Sequence, residues 1–149
     1  MAGVDVSIVA WDGKTIVADK QATCADMRFS TTKLRRIGSG EVLAIIGLES
    51  AGQMLMSWYE DGADPEKWPK CQEDKEDWVR LVVASKTGCK VYERHPVAMP
   101  IEDSFMAWGS GRDYAMGAMA EGANARRAVE VAMKFNTACG MGIDSETFE

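Results

Sequence analysis

Apolar residues recur along the chain in short runs, and the spacing within each run predicts what it forms. Residues 6–11, Val-Ser-Ile-Val-Ala-Trp, are rich in β-branched and aromatic side chains and read as a strand. Asp12-Gly13 follows, a two-residue hairpin turn in which glycine tolerates positive φ, and residues 14–18 return as the partner strand. Residues 19–32 are mostly polar and read as a loop. A second hairpin runs from residues 33–37 through Gly38-Ser39-Gly40 to residues 41–47, whose apolar run predicts a strand buried on both faces. A third pairs residues 78–84 with 89–93 around Lys86-Thr87-Gly88. Residues 105–108 and 142–148 read as two further strands.

Helical spacing begins after Ser50, which suits an N-cap. Ala51, Met54, Leu55, Trp58 and Tyr59 fall at i, i+3, i+4, i+7 and i+8, one apolar stripe that Asp61-Gly62 ends. Residues 64–77 hold two prolines and many charges, as expected of a loop with a short helix. Two more helices are predicted near 112–121 and 125–135, and in the second Ala125, Ala128, Val129, Ala132 and Met133 share a face. Hairpins join antiparallel strands, so a parallel βαβ sheet does not fit this order. Two stacked antiparallel sheets with helices on both outer faces do fit. The expectation is a four-layer α/β/β/α sandwich over one domain, residues 1–149.

Composition narrows the chemistry. Hydrophobic residues make up 46% of the 149, enough for a sizeable core. Seventeen Lys and Arg face 23 Asp and Glu, a net charge of −6, so there is no cationic excess to hold a nucleic-acid backbone. His95 is the single histidine, which argues against multi-histidine metal sites, and no metal or cofactor is expected. Cys24, Cys71, Cys89 and Cys139 form no C-x-x-C pair and read as free thiols of a reducing compartment. Residues 1–5, Met-Ala-Gly-Val-Asp, lack the basic and apolar regions of a signal peptide, and the longest apolar runs are too short to span a bilayer. A cytoplasmic protein without a membrane partner is expected.

Several residues could carry chemistry. Asp19 ends one strand and Lys33 begins another, so a compact intervening loop would bring them to the same end of a sheet. A carboxylate beside a lysine tunes its charge, although such a pair is just as often a surface ion pair. Gly109-Ser110-Gly111 joins a strand to a helix, where backbone N–H groups face an anion. Alone it is an ordinary turn, and it lacks the G-x-S-x-G and G-x-G-x-x-G patterns. Cys139 could be a thiolate, but a buried small thiol is the simpler reading without a neighbouring histidine.

Four blocks, taken in order, resemble the proteasome β subunit and its bacterial HslV-type peptidase counterpart. They are Ser7-Ile8-Val9-Ala10 through Ala18-Asp19-Lys20-Gln21-Ala22-Thr23; Thr32-Lys33-Leu34-Arg35-Arg36-Ile37 followed by Ala44-Ile45-Ile46-Gly47; Ala107-Trp108-Gly109-Ser110-Gly111-Arg112-Asp113-Tyr114-Ala115; and residues 136–144, Asn-Thr-Ala-Cys-Gly-Met-Gly-Ile-Asp. Together they span nearly the whole chain. The resemblance implies the N-terminal-nucleophile (Ntn) hydrolase fold, which is the four-layer sandwich inferred above. In that family a mature N-terminal threonine attacks a peptide carbonyl while its own α-amine moves the proton, without need of histidine. By position, Asp19, Lys33, Gly47 and Ser110 match the orienting aspartate, the lysine, the oxyanion glycine and the supporting serine.

Other matched positions have changed. Val6 stands at the position matched to the nucleophile and carries no nucleophilic atom, with residues 1–5 preceding it as an extension. The family's later aspartate matches Asn136, and its nearby serine matches Cys139. The resemblance therefore implies a self-assembling, ring-forming subunit that is non-catalytic or weakly active, with a scaffolding or peptide-binding role. Its partners would be further copies of itself, peptides or unfolded proteins, and an unfoldase. The alternative is an active Ntn peptidase or amidase that uses Ser7 after N-terminal processing. Strand alternation opposes that alternative, because Ser7 points away from the side that Val6 faces. The short length would suit a copy carried by a phage.

Overall fold

The computed structural model describes residues 5–6, 8–47, 49–73 and 78–149. In chain order the elements are β1 (Asp5–Val6), β2 (Val9–Trp11), β3 (Thr15–Asp19), β4 (Gln21–Cys24), β5 (Met27–Ser30), β6 (Leu34–Arg36), β7 (Val42–Ile46), α1 (Glu49–Glu60), 3-10 turns at Pro65–Lys67 and Lys70–Glu73, β8 (Arg80–Ser85), β9 (Gly88–Tyr92), β10 (Met99–Pro100), β11 (Met106–Trp108), α2 (Arg112–Ala120), α3 (Ala125–Phe135) and β12 (Ile143–Thr147). The first hairpin turns where Asp12-Gly13 requires it. Asp12 Oδ1 accepts from the N–H groups of Lys14 and Thr15, and its Oδ2 accepts from the N–H of Ala125. One carboxylate thus closes the β2–β3 turn and docks the start of α3.

All strand pairs are antiparallel. One main sheet runs β11-β2-β3-β12 and the other β10-β9-β8-β7-β6. Their facing sides bury Val9, Trp11, Ile16 and Ala18 against Leu34, Val42, Ala44, Val82 and Val91. Alternate residues on the same strands point outward. Ile8, Ala10 and Val17 meet Ala115, Met119, Ala128, Val129 and Ala132 of the α2–α3 pair. Leu43, Ile45, Leu81 and Val83 meet Ala51, Leu55, Met56 and Trp58 of α1. The result is the expected α/β/β/α layering, with β7 buried along its whole length.

Three local differences matter. The segment read as a polar loop, residues 19–32, contains a hairpin: β4 and β5 pair from Gln21↔Ser30 to Cys24↔Met27. Together with β1 they form a third, three-stranded sheet beside the two main ones. Asp5, expected within an extension, pairs there with Thr23. Helix α1 begins at Glu49, so Ser50 lies inside its first turn rather than capping it. The outer layer over β7 and β8 is α1 with the two 3-10 turns, which lie in the stretch read as a loop with a short helix. Prolines at positions 65 and 69 keep that stretch from continuing as an α-helix. Among the described residues, no helix is long and apolar enough to cross a membrane.

Candidate functional site

Asp19 ends β3 and Lys33 immediately precedes β6, and the fold brings the two side chains together in full burial. Lys33 Nζ donates to Asp19 Oδ1 at 2.5 Å, and the Gly140 N–H donates to Oδ2 at 2.9 Å. Both carboxylate oxygens are therefore satisfied, as a charge removed from water requires. Burial pushes the Lys33 pKa below that of a free lysine, while the Asp19 carboxylate, with lesser help from Cys139 and Glu49, draws part of it back. The spacing in sequence could not distinguish this arrangement from a surface pair; full burial does.

The segment after α3 wraps this pair. Asn136 caps α3, its Nδ2 donates to the Ser110 carbonyl, and its Oδ1 accepts from the Ala138 N–H. Cys139 is buried, and its thiol shares a hydrogen bond with the Ser110 side chain. Its sulfur lies under the start of α2, where a Cβ on Gly111 would come within 2.9 Å of it. Burial first, then the Asp19 charge, push the Cys139 thiol up to about 12 against the opposing pull of Lys33 and Ser110. A thiol so raised stays protonated at neutral pH, which favours a packed side chain over a thiolate.

Beside this wall lies a cleft of about 750 Å³, lined by Gln21, Thr23, Arg28, Ile46, Gly47, Gly109, Ser110, Arg112, Thr137 and Ala138. That volume suits a small ligand or a few residues of peptide. Gly47 follows β7 with φ +126°, and a Cβ there would meet Val79 Cγ1 at 2.7 Å, so the position demands glycine twice over. Of the residues singled out in the sequence, Gly47 and Ser110 line the cleft. Asn136 and Cys139 are not lining residues but bond to Ser110, which is. Asp19 and Lys33 are not among the lining residues. Val6 is paired through β1 with Ala22 of β4, and Ser7 lies outside the described residues. His95 sits exposed in a loop, as expected.

Sequence reasoning did not single out Gln21, Thr23, Arg28, Arg112, Thr137 or Ala138. Gln21 and Thr23 alternate along β4, and Arg28 lies directly opposite Thr23. These three therefore share one face of the hairpin, and that period of two was the available signal. Another groove of about 460 Å³, between Trp58 of α1 and Pro69 of the segment that follows it, shares no residue with the cleft.

The thiols give a direct check of this geometry. Alkylation near pH 8 is expected to modify exposed Cys24 rapidly and half-buried Cys71 more slowly, leaving Cys89 and Cys139 untouched until the chain unfolds. Mass-mapped iodoacetamide labelling reads this, and rapid labelling of folded Cys139 would restore it as a candidate nucleophile. Burial also raises Cys89 from 9.0 to about 12. Unfolded thiols ionise near pH 9, whereas these two keep their protons to about 12. Their contribution to stability is intact below pH 9 and is lost as pH rises from 9 to 12. Denaturant midpoints should fall across that window, and a flat profile would contradict the burial of both thiols.

No protein-family model and no curated protein sequence matches the chain. Solved structures do match in shape. Thiobacillus denitrificans BPH in complex with epoxomicin superposes with a TM-score of 0.74 at 20% identity, over 96% of this chain and 98% of that one. A further structure of Thiobacillus denitrificans BPH gives 0.72 at 20% identity, with the same coverage. HslV from Trypanosoma brucei gives 0.71 at 22% identity, over 95% of this chain and 98% of that one. The overlaps run nearly end to end in both partners: the chain has the fold of the HslV- and proteasome-type peptidases, the Ntn-hydrolase sandwich.

Proposed function

We propose that this chain is a ring-forming subunit of the HslV/proteasome type whose cleft binds peptide while peptide-bond hydrolysis is lost or strongly weakened. The observation that carries the reading is Val6, which stands at the position matched to the nucleophile and carries no nucleophilic atom. The buried Asp19–Lys33 pair is common to an active and an inactive site. The N-terminal sequence supports the same conclusion. Residues 1–6, Met-Ala-Gly-Val-Asp-Val, contain no serine, threonine or cysteine, so no register of that stretch supplies a hydroxyl or thiol nucleophile. Asn136 acts as a helix cap and Cys139 as a packed thiol, roles that hold the wall of the cleft without acid–base chemistry.

The second reading is an active Ntn peptidase or amidase with Ser7 freed by cleavage after Val6. The lowered pKa of Lys33 favours it, since such a lysine could adjust a neighbouring hydroxyl. Intact mass of the purified protein separates the two. A chain that retains residues 1–6, hydrolyses no fluorogenic peptide and resists a hydroxyl-directed covalent probe is the expected result. A species beginning at Ser7 that carries the probe would establish the second reading. Light scattering coupled to size exclusion should show a closed oligomer of a 16.3 kDa chain; a strict monomer at high concentration would remove the ring from the proposal.

A further inference from the structure

We propose that the cleft selects ligands carrying carboxylates, acidic peptides in particular, through Arg28 and Arg112. The inference rests on the peptide-binding reading above and adds the chemistry of the peptide. The two arginines come from separate elements: Arg28 from β5 and Arg112 from the first position of α2. Both line the cleft, and among the residues whose side chains the structure describes no Asp or Glu does. This is the reverse of the chain as a whole, which carries a net charge of −6. The local sign is therefore set by which residues the fold brings to this one concavity, and general attraction of anions to the protein does not explain it.

The two guanidinium groups are differently prepared. Among the described residues Arg28 has no hydrogen-bond or ion-pair partner, and it shares its hairpin face with Thr23 and Gln21. Arg112 is anchored by one bond, from Nη1 to the Gly109 carbonyl at 3.1 Å. Its remaining contact is to Asp113 Oδ1 at 4.0 Å, between two exposed side chains. That distance is too long for a hydrogen bond, so most of the Arg112 fork remains available. Guanidinium groups bind carboxylates through two parallel N–H···O bonds, a geometry that a lysine ammonium does not offer. Gln21, Thr23, Ser110 and Thr137 also line the cleft.

Fluorescence anisotropy with labelled peptides tests the proposal on the full chain. Four peptides of equal length are needed: acidic and C-terminally amidated, neutral and amidated, neutral with a free C-terminus, and basic and amidated. The acidic peptide is expected to bind at least about tenfold more tightly than the neutral amide, the worth of one or two charge-assisted bonds. The basic peptide should bind most weakly, and added salt should narrow the gap. Arg28→Glu and Arg112→Gln should each weaken the acidic peptide far more than the neutral one, removing most of the preference. Arg28 is exposed and has no partner among the described residues, so its substitution should leave folding intact, which circular dichroism would check. Preference for the free C-terminus over its amide, with none for acidic side chains, would assign the arginines to a terminal carboxylate and overturn the acidic-peptide form. Equal binding of all four peptides, unchanged in both variants, would overturn the inference and leave the peptide cleft standing. Binding of none would overturn the peptide cleft itself.

Discussion

Lys33→Met is expected to remove about 3–5 kcal/mol of folding stability, because it leaves the Asp19 carboxylate buried without its counter-charge. For a chain of this length that lowers the thermal midpoint by about 6–20 °C. Asp19→Asn should be comparably harmful from the other side, stranding an ammonium that burial already disfavours. The double variant Asp19→Asn/Lys33→Met is expected to recover much of the loss, since neither charge then has to be desolvated. Thermal and urea unfolding of the four proteins forms a closed cycle. A stable Lys33→Met single variant would contradict the burial of the pair.

The same substitution at two helical glycines should have opposite signs. Gly52 of α1 faces β7, and a Cβ there would lie 2.3 Å from Ile45 Cδ1, 2.8 Å from its Cβ and 2.9 Å from its Cγ2. A rotamer change relieves the first contact but not the second, so α1 must lift from the sheet. Gly52→Ala is expected to destabilise by about 1–3 kcal/mol despite alanine's better helix propensity. Gly117 of α2 is exposed, and a Cβ there meets nothing within 4 Å. Gly117→Ala should stabilise by about 0.5–1 kcal/mol. Urea midpoints read both. A neutral Gly52→Ala would mean that α1 does not sit as close to Ile45 as described.

The pattern of apolar positions carried the layers but not the contacts made within them. Asp12-Gly13, the unbroken apolar run of β7 and the face shared by Ala125, Ala128 and Val129 each state a local rule that the fold obeys. The β4–β5 hairpin states none. Its turn places Ala25 at φ +53° instead of using glycine, and all four residues of β5 are exposed, so neither turn chemistry nor alternating burial marks it. Arg28 was invisible for the same reason, because without the hairpin nothing aims it at the cleft. Asp19 and Lys33 were legible as a pair, but burial, which decides their character, depends on the loop after α3 that comes more than a hundred residues later. The sequence does not mark Gly52 as required; its need appears once Ile45 is seen against it.

The Asp19 carboxylate also holds more than a charge. Its second oxygen grips the Gly140 N–H, and the neighbouring Lys20 N–H reaches the carbonyls of Gly140 and Gly142. The turn that supplies Thr137 and Ala138 to the cleft is therefore riveted to the joint between β3 and β4. Protonating that carboxylate, or replacing it, loosens a bolt as well as removing a charge. The interior electrostatics and the shape of the binding surface are one mechanical part, and neither can drift through mutation while the other stays fixed.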